Sequence, residues 1–243
     1  MWRWVGPHWE RQRRGEKHPV LDFLFEYYFF KPGNLLAWRT GETRPVPERR
    51  RAAARWILEL LEATARRPPQ FACFGLHEWA MVFEATERRH ARYPLRLPAS
   101  EIEALVRRLP VCCTHFDAYR FFTASAQPLN QYRLTRATQA DWEQPGCLHA
   151  NMDLYKWAYK FWPWVPSAVV GDAFELAVAA RELDMRASPY DLRSLGYEPI
   201  RVETVTGREQ YRQAQTALWR EATPLRQRLI EHYRELVGRQ NSG

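Results

Sequence analysis

Hydrophobic residues recur every three or four positions over several long stretches of this chain, which places them on one face of a helix. This spacing predicts helices over residues 46–66, 101–109, 171–186 and 207–238, the last of them basic and broken or kinked at Pro224. The clearest apolar stripe, within the first of these helices, consists of Ala53, Trp56, Ile57, Leu60 and Leu61.

Polar residues predict where several helices begin. Ser100 with Glu103 matches a capping box, and Asp172 is a suitable cap for the third helix. Asn151 is a suitable cap inside the aromatic-rich stretch QPGCLHANMDLYKWAYK. The stretch HPVLDFLFEYYFF predicts a further short helix with Pro19 at its first position.

Shorter segments rich in β-branched and aromatic residues predict strands or extended pieces. They are residues 71–74, 80–83, 94–98 and 197–205, while residues 111–123 fit either a strand or a helix. Together the elements predict a fold of the α+β class that is predominantly α-helical, with a few short strands. We expect a single compact domain over residues 1–243, with a basic N-terminal segment (1–17) and a long C-terminal basic helix (207–238).

Composition adds a basic bias to this picture. Lys and Arg total 36 against 28 Asp and Glu, and the sequence pI is about 9.5. Guanidinium groups pair with phosphates and stack on bases, so the bias predicts a nucleic acid, DNA first, or a nucleotide-like substrate as the partner. An arginine-rich proteome encoded by a GC-rich genome explains the same bias.

The cysteines and the hydropathy pattern predict a compartment. Cys73, Cys112, Cys113 and Cys147 form no CxxC pair, so zinc-finger spacing is absent. The first residues lack the apolar core of a signal peptide, and no run of 18 apolar residues occurs. We therefore expect a cytoplasmic protein without a membrane partner. The oligomeric state is not predicted.

Histidines and carboxylates occur together in five aromatic-rich contexts. In chain order these are His18/Asp22/Glu26, His77/Glu78, His115/Asp117, His149/Asn151/Asp153/Lys156 and Asp184/Arg186. A lone histidine in an apolar segment is more often a hydrogen-bonded core residue than a catalyst. Four His–acid pairs exceed what a core requires, because buried titratable groups are costly. The clusters are candidates for one functional site if they converge in space.

Well-known catalytic and cofactor motifs are absent. The sequence contains no GxSxG elbow, Walker loop, GxGxxG turn or HExxH helix. The pairs His18/Asp22 and His149/Asp153 can each place two metal ligands on one helix face. A helix-stabilising His–carboxylate contact explains the same spacing, so we predict neither a metal nor an organic cofactor.

Longer motifs resemble a known family. They are HPVLDFLFEYY, CFGLHEWAMVF, CTHFDAYRFFT, EQPGCLHANMDLYKWAYK and LDMRASPYDL. Over roughly residues 8–235 the chain resembles bacterial proteins commonly labelled 3-methyladenine DNA glycosylase. The resemblance implies hydrolysis of the N-glycosidic bond of an alkylated base in DNA. The glycine-rich hairpin of the helix-hairpin-helix glycosylases is absent, so the resemblance does not extend to that class.

The implied chemistry assigns an expected role to each cluster. An alkylated purine is positively charged, so aromatic faces attract it, and one carboxylate that activates water and stabilises an oxocarbenium-like sugar can suffice. We expect Asp153 to be that carboxylate. The other candidate catalytic residues are His149, Glu78, His77, His115 and Asp117. The candidate substrate contacts are Asn151, Tyr155, Lys156, Trp79, Asp184, Arg186, Asp22 and Glu26.

Two other functions remain open. A metal-dependent hydrolase or oxygenase acting on a nucleotide or small molecule would use the same histidines and carboxylates. A non-catalytic nucleic-acid-binding module would explain the charge but not the clusters. A helix that is capped by Asn151 and starts just after it leaves His149 before the helix and puts Asp153 in the first turn, where backbone N–H groups stabilise an anion.

Overall fold

Helices form nearly all regular structure in the computed structural model, which describes residues 2–238. The α-helices are α1 (Trp2–Arg13), α2 (Glu48–Arg66), α3 (Leu76–Ala80), α4 (Ala99–Arg108), α5 (Phe116–Tyr119), α6 (Gln139–Trp142), α7 (Leu148–Lys160), α8 (Ser167–Ala187) and α9 (Val205–Gly238). A π-helical turn covers Phe23–Tyr27, and 3-10 turns cover Pro32–Leu36, Gln127–Leu129 and Arg193–Leu195. Residue 1 and residues 239–243, the ends of the predicted domain, lie outside the described residues.

Four long helices, α2, α7, α8 and α9, pack around a shared hydrophobic core. Helix α9 contacts the other three, and α7 lies against α8. Ala173, Ala177 and Ala180 of α8 are fully buried, and their small side chains allow neighbouring backbones to approach closely. Leu229 and Tyr233 of α9 are also fully buried in this core. Full burial of a large apolar side chain stabilises the fold by roughly 1.5–3 kcal/mol.

The helices predicted from spacing are confirmed as α2, α4, α8 and α9, but two of their starts are wrong. Both α4 and α8 begin directly after a proline, Pro98 or Pro166, rather than at caps formed by Ser100 or Asp172. A proline directly before a helix removes no backbone hydrogen bond, because the first N–H groups of a helix have no partner within it. Asp172 is exposed on α8 and pairs with Arg228 at 2.7 Å. Helix α9 continues through its proline.

The predicted α+β class is wrong, because residues 2–238 contain no β-sheet. Extended pairing is limited there to two isolated bridges, Leu95 with Tyr190 and Val111 with Asn130. The segments predicted as strands or extended pieces form turns, irregular chain or parts of helices: 71–74, 80–83, 94–98, 111–123 and 197–205. Their aromatic side chains pack into a helical core, as the fully buried Trp79 does. Strand propensity largely reports packing on a half-buried surface, so it misled the prediction here.

The segment between α1 and α2 runs along α7 and supplies aromatic side chains to it. Its π-helical turn, Phe23–Tyr27, is followed by Tyr28, whose hydroxyl donates to Asp153 at 2.8 Å. Further on, the side-chain amide of Asn34 donates to the hydroxyl of Tyr159 at 2.8 Å. These contacts fix the segment against the helix that carries most of the candidate site. In the part of the chain that is described, no helix is long and apolar enough to cross a bilayer.

Candidate active site

A cleft along α7 brings most of the predicted catalytic residues together. Two adjoining cavities of about 300 Å³ and 190 Å³ form it, and they share several lining residues. Five predicted catalytic residues line the smaller cavity: Glu78, His115, Asp117, His149 and Asp153. Its aromatic walls are Phe23, Tyr27, Tyr28, Phe121 and Tyr190. The larger cavity alone reaches the lower end of the size range of small-molecule pockets.

The start of α7 decides which side chains face this cleft. The helix begins at Leu148 and not after Asn151, so the predicted start is wrong. His149 therefore lies within the helix, one turn before Asp153, and both line the smaller cavity. Lys156 follows three residues later and contacts Asp153. Because Asp153 lies in the second turn, side chains and not the helix N-terminus stabilise its charge.

The carboxylate of Asp153 is buried among donors. Tyr28 donates to Oδ1 at 2.8 Å, Lys156 donates to Oδ2 at 3.0 Å, and Nε2 of His115 lies 3.4 Å from Oδ2. Burial alone would raise the pKa of Asp153, but Lys156 and then His115 outweigh burial and hold it well below its ordinary value. Asp153 is therefore an anion at neutral pH.

Asp117 is a second carboxylate held by the same lysine. Lys156 donates to its Oδ2 at 3.1 Å, Arg136 contacts both carboxylate oxygens, and Arg120 Nε lies 3.2 Å from Oδ1. Burial would raise the pKa of Asp117, but Lys156 and Arg136 lower it. Burial would likewise lower the pKa of Lys156, but Asp153 and Asp117 raise it. One ammonium group thus joins two ionised carboxylates.

A second buried network joins α3 and α8, and two of its members, Glu78 and Arg181, line both cavities. Nε2 of His77 lies 2.7 Å from Oδ1 of Asp184, and Arg181 donates to Oδ2 of Asp184 at 2.9 Å. Burial would lower the pKa of His77, but Cys73 and Asp184 raise it well above its ordinary value. Burial and the charge of Asp184 raise the pKa of Glu78 to about 7. Glu78 therefore changes protonation near neutral pH.

Gly75 sets the position of α3 in this network. Its φ of 75° lies in the left-handed region, which favours glycine. A Cβ atom at this position would also lie 3.0 Å from the Cβ of Ala187, where the chain packs against α8. The tight turn directs His77 and Glu78, two and three residues later, toward Asp184.

His149 connects the two networks. Its ring stacks on His115 with centroids 5.3 Å apart and meets the ring of His77 edge-on at 4.6 Å. Nε2 of His149 lies 3.8 Å from Oδ2 of Asp184, beyond hydrogen-bond distance. Burial lowers the pKa of His149 to about 3, so the imidazole is neutral at physiological pH.

The predicted acidic pair Asp22 and Glu26 lies in the larger cavity of the same cleft. Lys17 is 3.4 Å from Oε1 of Glu26, and the backbone N–H of His18 donates to Asp22 at 3.0 Å. These two carboxylates therefore line the larger cavity, whereas Asp153 lines only the smaller one.

Four other predicted substrate contacts line neither cavity. Asn151 is buried and accepts a hydrogen bond from Arg226 at 2.6 Å. The indole N–H of Trp79 donates to a backbone carbonyl at 2.9 Å, and Tyr155 is fully buried among aromatic rings. Arg186 donates to another backbone carbonyl at 3.0 Å. These four residues therefore stabilise the structure around the site and do not face the cleft.

Three further site residues went unrecognised in the sequence. Tyr28 donates to a carboxylate 125 positions away, and Oε2 of the buried Glu143 lies 3.7 Å from Nε2 of His115. Arg181 contacts Asp184 one turn later on α8 and lies 3.8 Å from the carboxylate of Glu78. Only the three-residue spacing of Arg181 and Asp184 is visible in the sequence, and it is common on solvated helices.

A wide basic groove adjoins the cleft. Its volume is about 640 Å³, and its cations are Arg89, Arg120, Arg136, Lys156 and Lys160. Phe29 stands in this groove with 92% of its surface exposed and a φ of 55°. The left-handed backbone of a non-glycine residue costs roughly 1–2 kcal/mol. An exposed ring on such a backbone, among five cations, is suited to stacking on a base.

The chain matches no protein-family model, and comparisons with curated proteins and with solved structures give no similar protein. Its class is therefore defined by fold and site alone. It is a helical protein with buried His–carboxylate networks beside an aromatic cleft.

Proposed function

We propose that this protein hydrolyses the N-glycosidic bond of an alkylated, 3-methyladenine-type base in DNA. The observation that carries the proposal is the carboxylate of Asp153, which is ionised and lines an aromatic-walled cavity beside a basic groove. Each part of this arrangement matches one requirement of the reaction.

The substrate base and the reacting sugar both carry positive charge. Tyr27, Tyr28 and Phe121 line the cavity, and aromatic rings attract a cationic base by cation–π interaction. As the glycosidic bond breaks, the sugar becomes oxocarbenium-like, and the fixed negative charge of Asp153 stabilises it. Because Tyr28 and Lys156 already donate to Asp153, this carboxylate is a weak base that acts mainly through its charge.

A second carboxyl group is available for the attacking water. Glu78 lines the same cavity and comes from α3, whereas Asp153 comes from α7. We assign Glu78 to proton transfer with water, which separates that role from the stabilisation of the sugar cation. The two roles were combined in one residue in the sequence-based prediction.

The basic groove supports a polynucleotide partner. Its four exposed cations, Arg89, Arg120, Arg136 and Lys160, can contact successive phosphates, while Phe29 can occupy the space left by a base that has rotated out of the stack. We place the reaction in the cytoplasm, a proposal that the free state of Cys73, Cys112, Cys113 and Cys147 supports.

The test is release of free base from methylated DNA. We expect release by the wild-type protein and a loss of about 10²–10³-fold in rate for Asp153→Asn, which keeps the side-chain shape but removes the charge. The matched control is Asp172→Asn, because Asp172 is an exposed carboxylate on α8 that pairs with Arg228 away from the cleft. Circular dichroism of each variant checks that it is folded.

Three outcomes would change the proposal. Absence of base release by the wild type, with intact DNA recovered, refutes the function. Equal rates for wild type and Asp153→Asn refute the assigned role. Tight binding of DNA without release favours a non-catalytic module.

A metal-dependent hydrolase or oxygenase is the second candidate function. The observation that favours it is the convergence of His77, His149 and Asp184, whose ligand atoms lie within 4.8 Å of one another. A metal-dependent reaction would make base release, or turnover of a nucleotide, sensitive to chelators.

A further inference from the structure

We infer that His77, His149 and Asp184 form a binding site for one divalent transition-metal ion of the Zn²⁺ type. Each residue offers one ligand atom, and these atoms lie within 4.8 Å of one another. The three side chains come from α3, α7 and α8, so the fold and not a local sequence motif assembles the set. This inference concerns binding and does not depend on which reaction the cleft performs.

The distances are close to those of a coordinated ion. Nε2 of His77 lies 2.7 Å from Oδ1 of Asp184, and Nε2 of His149 lies 3.8 Å from Oδ2. Zinc bonds of about 2.0–2.2 Å place neighbouring ligand atoms roughly 3–4 Å apart. Coordination would replace the His77–Asp184 hydrogen bond, with release of its proton and a slight separation of the two atoms, and would bring the most distant ligand atoms together by about 1 Å.

Two features single out this set from an ordinary ion pair. His149 is largely buried and directs Nε2 toward Asp184 without reaching hydrogen-bond distance. The ring of His77 is oriented by a partner on its other nitrogen, because Nδ1 lies 3.2 Å from Sγ of Cys73 while Nε2 faces Asp184. A partner on the remote ring nitrogen is the usual way in which a protein orients a metal-binding histidine.

The ligand types define the class of ion. Two imidazole nitrogens and one carboxylate suit Zn²⁺, Fe²⁺, Co²⁺ or Mn²⁺, whereas Mg²⁺ and Ca²⁺ prefer oxygen ligands alone. Three protein ligands also leave coordination positions for water or substrate, as catalytic sites do and closed structural sites do not.

Arg181 is the main competitor of the ion. Its guanidinium donates to Oδ2 of Asp184 at 2.9 Å, so a bound cation must share this carboxylate or displace Arg181 toward Glu78, 3.8 Å away. Removing the positive charge of Arg181 should therefore strengthen metal binding. A purely structural ion pair predicts no such gain.

The test is titration of chelator-treated protein with Zn²⁺, followed by calorimetry, with Co²⁺ absorption as a second readout. We expect one bound ion per chain, with affinity at least about 100-fold weaker in His149→Gln and in Asp184→Asn. Arg181→Met is expected to bind Zn²⁺ about 10-fold more tightly. Two control variants, His90→Gln and His115→Gln, remove histidines that lie in the cleft but outside the ligand set.

The controls separate the proposed site from other histidines. Zn²⁺ affinity within about threefold of wild type in His149→Gln would overturn the site, as would the absence of a one-to-one complex in the wild type. Loss of binding in His115→Gln but not in His149→Gln would move the ion to the Asp153 network and would equally overturn this assignment. If Asp184→Asn is unfolded by circular dichroism, His149→Gln and Arg181→Met decide the outcome.

Discussion

Replacing Asp153 with Asn is expected to destabilise the protein by about 3–5 kcal/mol at neutral pH, the range found when one partner of a buried pair is removed. Asp153 is 3% exposed and receives a hydrogen bond from Tyr28 and an ion pair from Lys156. The amide keeps the shape of the side chain but not its charge. Lys156 then retains Asp117 as its only anionic contact in the described network.

The magnitude follows from the distance between the charges. At 3.0 Å and an effective dielectric constant of about 20, the attraction between Asp153 and Lys156 is roughly 5–6 kcal/mol. Desolvation of both groups opposes this attraction. The remaining contact of Lys156 with Asp117, at 3.1 Å, reduces the expected loss of stability toward the lower end of the 3–5 kcal/mol range, about 3 kcal/mol.

A double-mutant cycle isolates the pair. Urea unfolding of wild type, Asp153→Asn, Lys156→Met and the double variant gives four free energies of unfolding, from which the coupling energy is obtained. We expect a coupling of about 1.5–3 kcal/mol, with Lys156→Met less destabilising than Asp153→Asn because Tyr28 and His115 still contact the carboxylate. The variant Asp172→Asn serves as an exposed control and should change stability by less than about 1 kcal/mol.

The same carboxylate gives stability a defined pH dependence. The pKa of Asp153 is lower in the folded protein than its value of about 3.9 in an unfolded chain. Its contribution is therefore complete above the unfolded pKa and is lost as pH falls through the folded pKa. Below about pH 4 the free energy of unfolding of Asp153→Asn should therefore fall less steeply with decreasing pH than that of wild type. The difference in slope should be up to about 1.4 kcal/mol per pH unit. If Asp153→Asn lowers the free energy of unfolding by less than about 1 kcal/mol at pH 7, or if its slope below pH 4 equals that of wild type, the buried charge network is refuted.

Three smaller predictions follow from the groove and the core. Phe29→Ala should weaken binding of an alkylated single-stranded oligonucleotide by 1–3 kcal/mol, or about 5–150-fold, in fluorescence anisotropy. The matched exposed control, Trp38→Ala, should leave this affinity unchanged. Lys160→Gln should reduce the slope of log affinity against log salt by about 1, and an unchanged slope would remove Lys160 from the phosphate path. Tyr155→Phe should raise the free energy of unfolding by about 1 kcal/mol, because the buried hydroxyl has no hydrogen-bond partner among residues 2–238, and a loss of stability would contradict that.

Helical spacing was reliable for the existence of a helix with one buried face such as α2, although Trp56 of its predicted stripe is exposed and Ala54, outside that stripe, is buried. It was less informative for α7, where Leu148, Met152, Leu154 and Trp157 are buried almost all round the helix. A helix enclosed on all sides shows no simple apolar stripe. Its start was therefore judged from a polar cap, and Asn151 proved to be a buried partner of an arginine on α9.

The candidate residues were visible in the sequence, but their grouping was not. Aromatic neighbours of His77 and His115 indicated buried positions, and both histidines are buried beside carboxylates. Their partners, however, come from segments far along the chain, and only packing of α3, α7 and α8 determines which acid meets which histidine. Spacing within one helix can reveal Asp153 with Lys156, but it cannot reveal Tyr28.

Buried charge of this kind is hard to explain by stability alone. Apolar side chains of similar volume are often as stabilising as a buried ion pair or more so, because desolvation opposes the attraction. Here Asp153 and Asp184 are both buried, and the ring of His149 lies between their networks. Nδ1 of the buried His115 has no hydrogen-bond partner in the described part of the chain. Unsatisfied buried groups of this kind cluster at functional sites, so they support the proposal of a site that binds an ion or a cationic substrate.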